Sequence, residues 1–224
     1  MSDVDSFLAG RDPASRAFYV VVRNIIATFC RVFWRSRVID AHNIPRTGAY
    51  VLAPVHRSNI DTLLACTVTR RRLRYMGKDS LWKNRLAGWI LSALGGFPVS
   101  RGTADREAFK RGIAVLQTGE PLVLFPEGER KSGPVVQPLF DGAVYMAVKA
   151  GVPIVPVGIG GSERAMPKGS KMIKPTKCVL LVGTPIAVPQ SESGRASRSA
   201  VKDMSQELHS ELQRLFDRAQ ALAG

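Results

Sequence analysis

The alternation of apolar and polar positions divides the 224-residue chain into one long helix and then strands and helices in turn. Pro13 suits the first position of a helix, where its missing N–H is no loss. The amphipathic period beyond it continues through about Arg35. At 100° per residue, Arg16, Arg23, Asn24, Arg31 and Arg35 share a sector roughly 120° wide. Phe18, Tyr19, Val20, Val21, Val22, Ile25, Ile26, Phe29, Val32 and Phe33 occupy the remainder. A wide apolar face with an arginine edge suits a helix lying in a lipid interface. The alternative is a helix docked on the domain's own core, its arginines simply solvated.

Beyond that helix, Ala49–Ala53 reads as a short buried strand, succeeded by a polar turn and a helix from about Ile60 to Val68. Strand Leu73–Met76, a helical stretch near Ser80–Leu94, strand-like Phe97–Ser100 and helix Thr103–Gln117 come next. Pro121–Phe125 reads as a strong strand ended by Pro126. A helix near Leu139–Ala150 leads into strand Ile154–Gly158, and Val179–Val182 adds another. In the last helix Val201, Met204, Leu208, Leu212, Leu215, Ala219 and Leu222 step by three and four. This alternation predicts an α/β fold with a largely parallel central sheet flanked by helices. The expected division is an N-terminal amphipathic, membrane-associating helix over residues 1–36 and an α/β domain over 37–224. The Pro/Gly/Lys-rich stretch Pro167–Pro175 reads as a surface loop.

Composition narrows the function classes. Hydrophobic residues at 45% against 22% charged ones exclude a disordered chain. The longest uncharged run, Leu86–Ser100, has 15 residues and contains Gly88, Gly95, Gly96 and Pro98. A spanning helix needs about 20 mostly apolar residues. The start, MSDVDSFLAGRDP, lacks the basic and apolar regions of a secretory signal. Three cysteines, Cys30, Cys66 and Cys178, odd in number and far apart, give neither a disulfide framework nor metal-ligand spacing. Lys and Arg total 32 against 18 acidic residues, a net charge of +14. The excess predicts acidic partners: nucleic acid, anionic lipid or phosphorylated substrates.

Ligands in open α/β sheets collect at the carboxyl ends of the strands, and three polar clusters fall just there. In the first, Pro54–Asp61, a turn entering the helix can fold His56 and Asp61 together despite their spacing of five. The carboxylate then holds the imidazole's tautomer, and His56 serves as general base for a hydroxyl. Helix capping by Asp61, Asn59 or Ser58 is the plainer alternative, and Ser58 is a weaker candidate nucleophile. The second cluster, Gly95–Arg101, and the third, Phe125–Ser132, each put a cation beside backbone that glycine makes approachable. Arginine's fork fits phosphate oxygens, and Lys78 offers a further positive charge. Glu127, in a Pro-Glu-Gly turn flanked by basic residues, is suited to orienting them.

Together these clusters resemble the glycerolipid acyltransferase family. His56–Asp61 is similar to its His-x4-Asp block, Phe97–Arg101 to its second block and Phe125–Arg130, Phe-Pro-Glu-Gly-x-Arg, to its third. Val152–Val157 is similar to the fourth, and the order is the family's. Val55 stands where many members have Asn, and Pro98 where an aliphatic residue is common. The resemblance implies transfer of an acyl chain from a thioester, on coenzyme A or acyl-carrier protein, to the free hydroxyl of lysophosphatidic acid. Glycerol 3-phosphate or another lysophospholipid is the alternative acceptor. It further implies His56 and Asp61 as the catalytic pair, with Arg101, Arg130 and Lys78 on the acceptor phosphate and Glu127 and Gly128 shaping that pocket. Direct transfer needs no metal or cofactor beyond the acyl co-substrate. The expected setting is peripheral, on the cytoplasmic face of an anionic membrane.

Two other classes compete. Nucleic-acid binding is suggested only by charge. Aromatics are 7%, and no zinc-finger, helix-turn-helix or RNA-binding signature is visible, so no nucleic-acid partner is expected. A catalytically silent lipid-binding protein on this fold is the other, and an intact His56–Asp61 pair argues against it.

Overall fold

The structure, a computed structural model, describes residues 10–99, 106–188 and 198–224. Helix α1 (Pro13–Phe33) is capped by Asp12, whose carboxylate accepts from the Ser15 backbone N–H and hydroxyl at 2.9 and 2.6 Å. After it come β1 (Arg37–Ile39), β2 (Val51–Pro54), α2 (Asp61–Ala65), β3 (Arg74–Lys78), α3 (Arg85–Ala93) and β4 (Gly96–Val99). The chain continues through α4 (Arg106–Gln117), β5 (Leu122–Val123), α5 (Gly142–Ala150), β6 (Ile154–Gly160), α6 (Ser162–Ala165), β7 (Val179–Val182) and α7 (Arg198–Ala223). The described strands form one sheet in the order β1-β7-β6-β2-β5-β3-β4. It is parallel from β6 through β4. β7 pairs antiparallel with β6, and β1 runs parallel to β7.

The expected α/β fold with a mostly parallel sheet flanked by helices is what the chain forms. Its core is the doubly covered centre of the sheet, where β2, β6 and β7 are buried along their whole length. Such strands read as continuous apolar runs because both faces carry helices. Helix α7 lies against β6 so closely that a Cβ on Gly158 or Gly160 would stand 2.4 or 2.1 Å from the backbone oxygens of Leu215 and Ala219. Only glycine permits that approach.

Several boundaries differ from the sequence expectation, each for a local reason. The helix expected over Ser80–Leu94 breaks in two: a 3-10 turn, Asp79–Trp82, precedes α3. Asn84 restarts the helix by accepting from the N–H groups of Leu86 and Ala87, both at 3.0 Å, as Asn does at N-caps. The strong strand expected over Pro121–Phe125 keeps only two residues in its ladder, although the Leu124 N–H still reaches the Leu52 carbonyl at 2.9 Å. Strand β1 and the single turn α6 are too short for any hydrophobic period to announce. The sheet's inversion at β7 likewise has no sequence signal.

The apolar residues of α1 divide between two environments. Tyr19 and Cys30 are buried, and Ile26 and Phe33 pack on the core. Val21, Ile25 and Val32 remain 57%, 63% and 72% exposed. Arg23, grouped by spacing with the polar sector, turns inward and donates to the carbonyl oxygens of Thr67 and Thr69. Among the described residues, no helix is long and apolar enough to cross a membrane. The three thiols are buried, and burial pushes Cys30, Cys66 and Cys178 up to about 12, 11 and 12. They serve as packing groups, because thiolate is what makes cysteine reactive.

Candidate active site

Four parallel strands, β2, β5, β3 and β4, end at the same edge of the sheet. The chain leaves β2 after Pro54 and turns through His56, Arg57 and Ser58 before α2 begins at Asp61. The turn is organised by one carboxylate oxygen. Asp61 Oδ2 accepts from the backbone N–H of Arg57 at 2.6 Å and of Ser58 at 2.7 Å, and lies 3.0 Å from His56 Nδ1. Asp61 is fully buried. An ionised carboxylate only accepts hydrogen bonds, so Nδ1 carries the imidazole proton and Nε2 is left as the basic nitrogen. The capping alternative is not what forms, since Asp61's carboxylate serves the turn before the helix.

The segment after β5 builds the opposite wall. The Phe125 ring stacks on the His56 imidazole, with centroids 3.9 Å apart and planes 22° from parallel. Below them Glu127 is fully buried. Its Oε2 accepts from Arg57 Nη1 at 2.7 Å and from the His56 N–H at 3.3 Å, and its Oε1 from the Gln137 N–H at 3.0 Å. Arg57 is equally buried. Its Nε and Nη2 donate to the carbonyls of Gly133 and Val135, and its guanidinium lies 4.7 Å from the Phe216 ring centroid. A buried charge pair persists only when its remaining hydrogen-bonding capacity is met, and here the loop over residues 133–137 meets it. The Lys131 N–H to His56 carbonyl bond, 2.9 Å, closes the connection between the two segments.

The sequence-predicted residues therefore separate into groups. His56 and Asp61 are in direct contact. Glu127 has both oxygens taken by its own chain, so it shapes the pocket from beneath and does not face a phosphate. Gly128 sits at φ +73°, where a Cβ would also strike the Phe140 ring at 2.6 Å. Arg130 is half-buried and Lys78 exposed, and neither side chain has a polar partner among the described residues. Lys78 ends β3, two strands over from β2, about 10 Å across the sheet at ordinary strand spacing. Arg101 lies outside the described residues. Ser58 is buried with its hydroxyl donating to the Met166 carbonyl at 2.7 Å, an anchoring role that leaves no nucleophile there.

The roles of two residues in these clusters escape a sequence reading. Arg57 stands out in the sequence only as an extra charge beside the base, and the structure turns it inward onto Glu127. Its one available signal is its opposite sign to Glu127 in the other conspicuous block. Phe125 reads as the end of a strand, and nothing in its spacing marks it as the ring against His56.

The site thus joins a His56–Asp61 contact, a buried carboxylate and nearby cations at the strand ends of a mostly parallel α/β domain. The acyltransferase family model matches residues 35–160, more than half of the chain, and the protein belongs to that family. It is 29% identical to the 1-acyl-sn-glycerol-3-phosphate acyltransferase of Bacillus subtilis over 186 residues, 80% of this chain and 90% of that one. The enzyme of the same name from Streptococcus pneumoniae is 27% identical, with 89% and 74% of the two chains covered. The crystal structure of the 1-acyl-sn-glycerophosphate acyltransferase of Thermotoga maritima superposes with a TM-score of 0.77 over 97% of this chain and 86% of that one. At 24% identity that likeness is one of fold.

Removing one partner of the Arg57–Glu127 pair strands the other charge in the interior. Arg57→Met is expected to lower unfolding free energy by about 3–5 kcal/mol, and Arg57→Met with Glu127→Leu by clearly less than the two single losses combined. Urea unfolding of the four proteins measures the coupling, and additive losses would contradict the pairing.

Proposed function

We propose that the protein transfers a fatty acyl chain from an acyl thioester to the free hydroxyl of lysophosphatidic acid, giving phosphatidic acid. The observation that carries the reading is the His56 Nδ1–Asp61 contact at 3.0 Å, with Nε2 unpartnered among the described residues. Nε2 takes the acceptor hydroxyl's proton as its oxygen attacks the thioester carbonyl. The tetrahedral oxyanion then collapses, the carbon–sulfur bond breaks, and the imidazolium returns the proton to the departing thiolate. Asp61 stabilises the imidazolium while it lasts, and the Phe125 ring limits rotation of the base. No covalent acyl-enzyme and no metal or cofactor enters this sequence of steps.

Arg130 and Lys78, with Arg101 beyond the described residues, hold the acceptor phosphate. Lysophosphatidic acid is chosen over glycerol 3-phosphate because the bacterial relatives of matching length carry its acyltransferase name. Coenzyme A and acyl-carrier protein both remain as donors, since the donor's reacting group is the same thioester.

The acceptor and product are membrane lipids, and the enzyme meets them from the surface. The exposed residues of α1 continue onto α3, where Phe18 lies 5.2 Å from the Trp89 ring and Leu86 is 68% exposed. Met172, 73% exposed, and Ile173 project from the loop that enters β7, among Lys168, Lys171, Lys174 and Lys177. Apolar side chains ringed by cations suit an anionic leaflet, where each basic residue near the surface contributes about 1 kcal/mol. The cytoplasmic leaflet is the one such charges favour. The protein is thus peripheral, with its strand-end edge toward the lipid.

Two measurements test this. Acyl transfer from palmitoyl-coenzyme A, and separately from palmitoyl-carrier protein, is expected to lysophosphatidic acid in preference to glycerol 3-phosphate. His56→Ala is expected to lower the rate by about 100-fold or more; transfer surviving that change would remove His56 as the base, and preference for glycerol 3-phosphate would reassign the acceptor. In vesicle flotation, wild type is expected to rise with phosphatidylglycerol-containing vesicles, and Ile25→Glu/Val32→Glu to remain below. Equal flotation of the two would contradict the placement of α1 in the interface.

A further inference from the structure

On the side of α1 away from α3, a groove of about 1110 Å³ runs between the helix, strand β1 and residues 67–70. Arg23, Arg31, Arg37 and Arg70 line it, and none of its lining residues is acidic. Arg23 is committed to the fold: its Nη2 holds the Thr67 and Thr69 carbonyls at 3.3 and 2.9 Å and so fixes the segment that carries Arg70. Arg31, Arg37 and Arg70 come from three separate elements, are exposed, and have no side-chain hydrogen bond or ion pair among the described residues. Three like charges facing one hollow repel each other, and an entering anion relieves that repulsion. Guanidinium groups approaching from several sides match the oxygens of a phosphate.

The groove does not end in water on its outer side. Asn24 and Thr28 form a ridge that it shares with a shallow apolar hollow of about 640 Å³. Beyond the ridge, Ile25, Phe29, Val32 and Phe33 make up that hollow. A ligand satisfying both sides carries a phosphate on one end and hydrocarbon on the other. None of the groove's lining residues belongs to the segments 54–61 or 125–131 that build the catalytic site.

We propose that this groove binds the headgroup of one anionic phospholipid, with its acyl chains crossing the Asn24–Thr28 ridge onto Ile25, Phe29 and Val32. The site is distinct from the acceptor's and fixes α1 to a particular lipid, a step beyond general attraction to charge. It rests on the membrane reading of α1 given above. Because dihexanoyl phosphatidylglycerol is soluble as a monomer, its binding is measurable without any bilayer, so failure of the site and failure of membrane association are separable.

Calorimetric titration of the whole protein with monomeric dihexanoyl phosphatidylglycerol is expected to give saturable binding of one lipid per chain. Arg37→Gln/Arg70→Gln is expected to weaken it at least tenfold while leaving the melting temperature and acyl transfer in detergent unchanged. Arg130→Gln is expected to leave lipid binding as in wild type. Dihexanoyl phosphatidylcholine and inorganic phosphate are expected to compete only at much higher concentration. Absence of saturable binding, or indifference to the double substitution, would overturn the proposal. Loss of binding in Arg130→Gln would relocate the lipid to the acceptor site, and equal competition by inorganic phosphate would make the groove a free-phosphate site; both overturn it.

Discussion

The geometry of the site depends on the burial of one carboxylate. Asp61 sits beneath the turn after β2, excluded from solvent, and a carboxylate there is tolerated only with donors arranged around it. Its Oδ2 gathers three: two backbone N–H groups from the turn and the imidazole Nδ1. The same contacts that make burial possible shape the turn and assign the histidine's tautomer. Fold and chemistry are therefore one constraint at this point. Spacing alone would set His56 and Asp61 apart on a regular helix, and it is the turn that unites them.

A buried charge pair extends that constraint across the sheet. Arg57 lies just past His56, and Glu127 lies just past β5, the strand beside β2, and the two meet at 2.7 Å beneath the site. Glu127 also accepts the His56 N–H, so the turn that carries His56 is held from its own helix by Asp61 and from the neighbouring segment by Glu127. Phe125 covers one face of the imidazole. Arg130 and Lys78 carry no such commitments among the described residues.

Much of this is legible in the chain. Polar residues just past the predicted strands put His56, Asp61, Glu127 and Arg130 at one edge, because a parallel sheet gathers the segments that leave its strands. The period of α7 and the all-apolar run of β7 are equally plain. Other features depend on partners far away in sequence. Arg57 reads only as an extra charge beside His56 and Arg23 as part of a polar sector, but each is drawn inward by acceptors that only the fold supplies. Strand β1 has three residues and no period. Helical spacing does not separate the two apolar environments of α1, because the helix is apolar over both the face that packs and the face that stays exposed.

The central claim is that Asp61 acts by holding the His56 imidazole, and Asp61→Asn tests it most directly, because the shape is kept while the charge and the obligatory acceptor are lost. The kinetics of acyl transfer to lysophosphatidic acid should show kcat reduced by about 10²–10⁴ with KM for the acceptor little changed. A folded Asp61→Asn protein with wild-type kcat would contradict the account.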